Sequence, residues 1–255
     1  MLSEPPAFLL KPGEVHVWFF NLSDKYQEDL AWERLLSAEE TARSKQFIFD
    51  KDRLRFIARR GILRQLLGRY CNTDPAGITY STNPYGKPAL NSHPLFFNLS
   101  SSQDRIAIAC TIEGEIGVDI ERVQPRNDIS RLAEHWFSPE ERGGLSALAP
   151  DGRAVVFYHI WTQKEAFIKA RGEGLSRPLK DFSVSIDPDE PGRLLSFKGG
   201  TDETRYWKMS WAIPEAGWRT AVCVRMENEP KILWTMAGAT SLCGPGWKEI
   251  STNIG

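Results

Sequence analysis

Few cysteines, no long apolar run and almost no net charge restrict what this 255-residue chain can be. Its four cysteines, Cys71, Cys110, Cys223 and Cys243, stand far apart, and no CxxC pair offers a zinc site or a redox dithiol. A reduced, cytosolic protein is the expectation. The opening residues Met1-Leu2-Ser3-Glu4-Pro5-Pro6 lack a basic stretch followed by an apolar one, and nowhere do about 18 apolar residues run uninterrupted. Neither export nor membrane spanning is expected. The formal net charge of −1 argues against generic nucleic-acid binding, which needs a broadly cationic surface against the phosphate backbone.

Nine Trp and thirteen Phe are present, enough to fill a substantial interior. The length fits one large domain or two small ones. Period-two alternation at the start of 14–20 predicts a strand. Ser37-Ala38-Glu39-Glu40 has the form of a capping box and predicts a helix running toward Phe47. Phe56, Leu63, Leu67 and Tyr70 then share one face of a second helix. Strands are expected at 95–99, 105–110 and 116–120, with a turn at Glu113-Gly114. Helices are expected at 129–137, 139–148 and 155–170, and strands at 182–186, 205–213 and 220–224. This order predicts an α+β fold in two halves, 1–115 and 116–240, followed by a tail, 241–255.

Three stretches carry chemistry. In Gly117-Val118-Asp119-Ile120-Glu121, a strand would point Asp119 and Glu121 to one face and Val118 and Ile120 into the core. Two adjacent carboxylates repel unless a cation or water separates them, and a hard divalent ion such as Mg²⁺ takes oxygen ligands. Taken alone, the same pattern describes an exposed strand end with two solvated acids. In 161–172, a helix that Gly172 can close, Glu165 and Lys169 lie four apart and project from one face. On an isolated helix they would be an ordinary surface pair. Finally, 43–70 holds nine Lys or Arg against two Asp, a cationic surface suited to a polyanion or, alternatively, a solvated face whose arginine stems cover apolar neighbours.

Gly-Val-Asp-Ile-Glu followed about 40 residues later by Trp161-x-x-Lys164-Glu165-Ala166-x-x-Lys169 resembles the two signature motifs of the 4′-phosphopantetheinyl transferases of the monomeric Sfp type. Gly86-Lys87-Pro88 and Phe97-Asn98-Leu99-Ser100 extend the resemblance, which reaches from roughly residue 15 to residue 225. It implies a pseudo-twofold pair of similar α+β halves with coenzyme A in the cleft between them. It also implies Mg²⁺ held by Asp119, Glu121 and Glu165, with Lys169 reaching the pyrophosphate and Glu165 serving as the base for the attacking serine. Arg43 and Arg55 match basic residues near the 3′-phosphate, with Arg53 and Arg59 as helpers. Lys87 would meet phosphate, Tyr85 or Pro88 the adenine face, and Ser100 the pyrophosphate. At Ser101 the chain departs from the family, which usually has histidine there. None of His16, His93, His135 and His159 matches a catalytic position.

The implied partner is an apo acyl or peptidyl carrier protein of fatty acid, polyketide or nonribosomal peptide synthesis. Its acidic helical surface would dock near 122–137, where Arg122, Arg126, Arg131, Trp136 and Phe137 stand. The two-half layout of one chain implies a monomer. A non-catalytic coenzyme A binder and a Mg²⁺-dependent pyrophosphate hydrolase are the competing readings.

Overall fold

The computed structural model describes residues 8–22, 32–91, 93–174, 177–198, 203–237 and 247–249. The chain begins with β1 (Glu14–Asn21), α1 (Ala38–Ser44), α2 (Asp50–Cys71), β2 (Tyr80–Thr82), β3 (Pro88–Leu90), β4 (Phe96–Ser102) and β5 (Arg105–Thr111). It continues with β6 (Ile116–Arg122), α3 (Ile129–Trp136), α4 (Pro139–Ser146), α5 (Pro150–Arg171), β7 (Phe182–Val184) and β8 (Leu194–Phe197). It closes with β9 (Trp207–Ala212), β10 (Trp218–Arg225), β11 (Lys231–Ala237) and β12 (Trp247–Glu249). The fold is α+β.

Two sheets form the centre. One has five strands in the order β12-β11-β1-β5-β4, the other three in the order β6-β10-β9. All pairings are antiparallel except β1 with β11, where Glu14 meets Lys231 and Phe20 meets Ala237. Hence the sheet built from the first 111 residues is completed by a segment from the far end of the chain. The chain passes from the first sheet to the second between Thr111 and Ile116, while β11, from the half expected at 116–240, returns to the first.

The side-chain period of two explains the layering. On β1 and β5, Trp18, Phe20, Ile106, Ile108 and Cys110 meet Ile57, Ile62, Leu63, Leu66 and Leu67 of α2. Val15, Val17, Phe19, Ala107 and Ala109 face the other way, onto Ile116, Val118, Ile120, Val222 and Val224 of the second sheet. The reverse face of that sheet, with Met209, Ala221 and Cys223, lies under Ile160, Phe167 and other residues of α5. The order is therefore helix, sheet, sheet, helix. A five-stranded sheet covered on both faces requires near-continuous apolar strands, and Val15 to Phe20 are all buried.

Local signals place the helices. Ser37 and Glu40 form the expected capping box at α1, and Ser138 with Glu141 form a second at α4. At the end of α5, Gly172 takes the left-handed conformation, φ +67°, that favours glycine. Gly117 has a different reason to be glycine. A Cβ there would run into the Ala166 carbonyl oxygen and the Ala170 amide nitrogen, and would lie 2.8 Å from the Lys169 carbonyl carbon. This absence of a side chain lets β6 lie directly against α5.

Two outcomes follow from this packing. Gly117→Ala should cost about 2–3 kcal/mol, because the obstructing atoms are backbone and cannot swing aside, and chemical denaturation reads it as a lowered midpoint with unchanged slope. His159 is fully buried, and neither ring nitrogen has a hydrogen-bond partner among the described residues. Burial, helped by the positive charge of Arg219, lowers its pKa from 6.5 to about 4. The unfolded chain therefore binds the proton first, so stability contributed by neutral His159 is present above pH 6.5 and is lost as pH falls toward 4. His159→Phe should flatten that part of the stability-versus-pH curve by about 2–3 kcal/mol relative to the parent chain.

Candidate active site

The edge strand β4 of the larger sheet meets the edge strand β6 of the smaller one, and side chains stitch the seam. Asn98 Oδ1 accepts from the Val118 amide at 2.9 Å. Ser100 Oγ donates to Asp119 Oδ1 at 2.8 Å, and Ser102 Oγ donates to Glu121 Oε2 at 2.7 Å. Residues 98, 100 and 102 share one face of β4, as Asp119 and Glu121 share one face of β6. Val118 and Ile120 point into the core on the other side, as the sequence pattern requires.

From above, α5 adds Glu165 and Lys169. The Lys169 ammonium lies 2.6 Å from Asp119 Oδ1 and 2.9 Å from Ser100 Oγ. Asp119 is 2% exposed, and its second carboxylate oxygen, Oδ2, is buried without a partner among the described residues. Burial pushes the Glu121 carboxyl up to about 7; the charges of Asp119 and Glu165 add to the rise, while the Ser102 bond and Lys169 oppose it. Glu165 is raised too, by burial first and Asp119 second. The three acids thus sense one another electrostatically, with one ammonium to offset them.

Among the described residues no group of three or more His, Cys, Asp or Glu is disposed to hold a metal ion. The chemistry of the donor set nevertheless fits a hard divalent cation. All the donors are carboxylate oxygens, their mutual repulsion penalises ionisation, and Asp119 Oδ2 is an orphaned buried acceptor.

The basic residues separate into groups. Arg59 Nη1 donates to Ser101 Oγ at 2.7 Å, so the hydroxyl at the position where the family usually has histidine carries a guanidinium partner. Burial lowers the Arg59 pKa, as do the neighbouring charges of Arg60 and Arg55. Arg55 lies 3.8 Å from Asp52, and its Nε is buried without a partner among the described residues. Arg43 is exposed, bonded to Gln46 at 2.7 Å and placed over the Phe47 ring. Arg64, by contrast, is buried and holds Glu40 at 2.6 Å together with the carbonyls of Pro75 and Ile78, which makes it part of the core.

The turn 83–87 meets a geometry different from the expected one. Lys87 Nζ donates to the carbonyls of Ala170, at 2.6 Å, and Ile116, at 3.0 Å. Burial lowers its pKa to about 8. The ammonium expected at a phosphate is thus engaged with backbone at the end of α5. Tyr85 is 60% exposed beside Glu173, Arg177 and Pro178, and Pro88 opens β3.

Lys164, next to Glu165 in the helix motif, plays no part at the seam. Its ammonium is fully buried on Glu141, 2.7 Å away, and on the Phe182 carbonyl at 2.6 Å. Burial lowers its pKa while Glu141 opposes. In the 122–137 segment Arg126 pairs with Asp128 at 2.8 Å, Arg122 and Arg131 are exposed, and Trp136 packs edge-on against Trp161. Phe137 is buried against Phe157.

Residues 115–223, which carry β6, α5 and both motifs, match the family model described as the 4′-phosphopantetheinyl transferase superfamily. The chain is also 34% identical over 229 residues to the 4′-phosphopantetheinyl transferase HetI of Nostoc sp., covering 88% of this chain and 92% of that protein. The chain belongs to the 4′-phosphopantetheinyl transferase superfamily. Another relative in the superfamily, the 4′-phosphopantetheinyl transferase Sfp of Bacillus subtilis, is 31% identical over 206 residues, which is 80% of this chain and 89% of Sfp. Among solved structures, the holo-[acyl-carrier-protein] synthase of Thermotoga maritima overlaps with a TM-score of 0.36 at 18% identity, over 45% of this chain and 64% of that one.

Sequence reasoning gave no role to Ser102, Asn98, Asn83 or the Lys164–Glu141 pair. Ser102 was within reach, since Ser100 and Ser102 repeat the spacing of Asp119 and Glu121. The others depend on contacts between distant segments. The buried pair gives a clear expectation for this superfamily member: Lys164→Met leaves Glu141 charged and unpaired in the core and should cost about 3–5 kcal/mol in thermal or denaturant unfolding.

Proposed function

We propose that the chain transfers the 4′-phosphopantetheine arm of coenzyme A to a serine of an apo acyl or peptidyl carrier protein, releasing 3′,5′-ADP. The observation that carries this reading is the convergence of Asp119 and Glu121 from β6 with Glu165 and Lys169 from α5 in a chain of this superfamily. The names of the relatives, 4′-phosphopantetheinyl transferases, support the transferred group. In this reading the two helix-on-sheet units are pseudo-twofold mates, the cofactor lies along their seam, and one chain acts alone in the cytoplasm.

Asp119, Glu121 and Glu165 would hold Mg²⁺. When bound, that ion supplies positive charge against the diphosphate as the ADP leaving group departs. Lys169 and Ser100, already bonded to each other, offer an ammonium and a hydroxyl to the same diphosphate, fixed where charge develops. Arg43, Arg55 and the Ser101–Arg59 pair supply cationic donors for the outer phosphate, and Tyr85 and Pro88 an apolar surface for adenine.

A serine hydroxyl attacks poorly until a base takes its proton. Glu165 is assigned that role. Without a bound ion, burial first and the Asp119 charge second raise its pKa, whereas Mg²⁺ held by the same carboxylate would lower its basicity. The carrier would approach along 122–137, where Arg122 and Arg131 are exposed and Arg131 lies beside Trp136, itself packed edge-on against Trp161.

Incubating the purified chain with coenzyme A, Mg²⁺ and a panel of apo carriers should yield a carrier heavier by one phosphopantetheine on intact-protein mass spectrometry. Asp119→Ala should reduce the rate by at least about a hundredfold, the scale set by losing a positioned transition-state charge. Coenzyme A binding without turnover on any carrier would replace this reading with a non-catalytic binder. ADP release without a carrier would replace it with a hydrolase.

A further inference from the structure

The turn between β2 and β3 lies at one end of the helix that carries Glu165 and Lys169. Asn83 Oδ1 accepts from the amides of Tyr85, at 3.0 Å, and Lys87, at 2.9 Å, which closes the turn. Asn83 Nδ2 then donates across to the Gly172 carbonyl at 2.7 Å. Lys87 Nζ donates to Ala170 of the same helix end and to Ile116 at the start of β6. The last four carbonyls of a helix lack intrahelical partners, and a cation near them also complements the helix dipole. Here the ammonium of a sequence-distant turn satisfies one such carbonyl, that of Ala170, and its amide satisfies the Gly172 carbonyl just past the helix end. The contact is close: a Cβ on Gly172 would lie 2.8 Å from Lys87 Cδ and 2.9 Å from Asn83 Nδ2.

Ile116 opens the strand that carries Asp119 and Glu121, while Ala170 follows Lys169 directly. One ammonium therefore ties the two acid-bearing elements together at a single point. We propose that Asn83 and Lys87 are positioning residues, a clamp that fixes the C-terminal turn of α5 against the start of β6 and thereby sets Glu165 and Lys169 relative to Asp119. The clamp acts through the backbone carbonyls of Ala170, Gly172 and Ile116. Its catalytic consequence rests on the proposed transferase reaction; its structural consequence does not.

Asn83→Asp separates the clamp from the integrity of the turn. The carboxylate keeps an acceptor for the two turn amides but loses the donor to Gly172. In the full-length chain, hydrogen exchange of the amides at 168–172 should quicken about tenfold in this variant, and more in Lys87→Met. In carrier-loading assays kcat should fall about tenfold with the KM for coenzyme A unchanged within about twofold, the mark of a displaced catalytic group. The proposal is overturned if exchange at 168–172 is unaltered in both variants, or if Lys87→Met raises the KM for coenzyme A while kcat is retained, which would put Lys87 on the cofactor. If the parent chain loads no carrier, the functional reading fails, and the exchange data still decide whether the clamp exists.

Discussion

Carboxylates at the seam between the two sheets and on the helix above it repel one another, and the surrounding packing fixes the elements that carry them. Glu121 and Glu165 are both pushed toward protonation by burial and by neighbouring acids, and one oxygen of Asp119 is buried without a partner among the described residues. Against this, the chain supplies one ammonium from Lys169 and two hydroxyls from Ser100 and Ser102. Such a cluster lowers stability on its own, and it becomes favourable when positive charge is brought to it.

Three features enforce the cluster. The bare backbone of Gly117 allows β6 to lie against α5 at a distance no side chain would permit. Below it, the smaller sheet is held from the other side by the larger one, whose odd-numbered residues on β1 and β5 fill the space between the layers. The buried Lys164–Glu141 pair ties α5 to α4 and to the Phe182 carbonyl, so the helix is anchored along its length by groups that do no chemistry. Adjacent residues of one motif thus divide their work, Lys164 as part of the core and Glu165 at the site.

The strands at 14–20, 105–110 and 116–120, the capping box at Ser37 and the apolar face of the long helix were legible in the sequence because each depends on local periodicity. The common face of Asp119 and Glu121 followed from the same rule. What stayed hidden depends on distant contacts. Nothing local to 231–237 indicates that β11 pairs in parallel with β1. Helix α5 starts at Pro150, several residues before its apolar pattern becomes clear at Val155, because proline is well tolerated in a first turn. Lys87 reads as a loop lysine free for phosphate until the carbonyls of Ala170 and Ile116 are seen beside it. The Ser101 departure from the family pattern was visible, but the guanidinium of Arg59 that meets it comes from a helix 42 residues earlier.

The account stands on the capacity of these acids to act as one cation site. Titrating Mg²⁺ into the chain saturated with coenzyme A, by calorimetry, measures that capacity directly. One ion per chain, with binding lost in Asp119→Asn while the variant still unfolds cooperatively, is the predicted result. Equal Mg²⁺ binding by the parent chain and Asp119→Asn would contradict it.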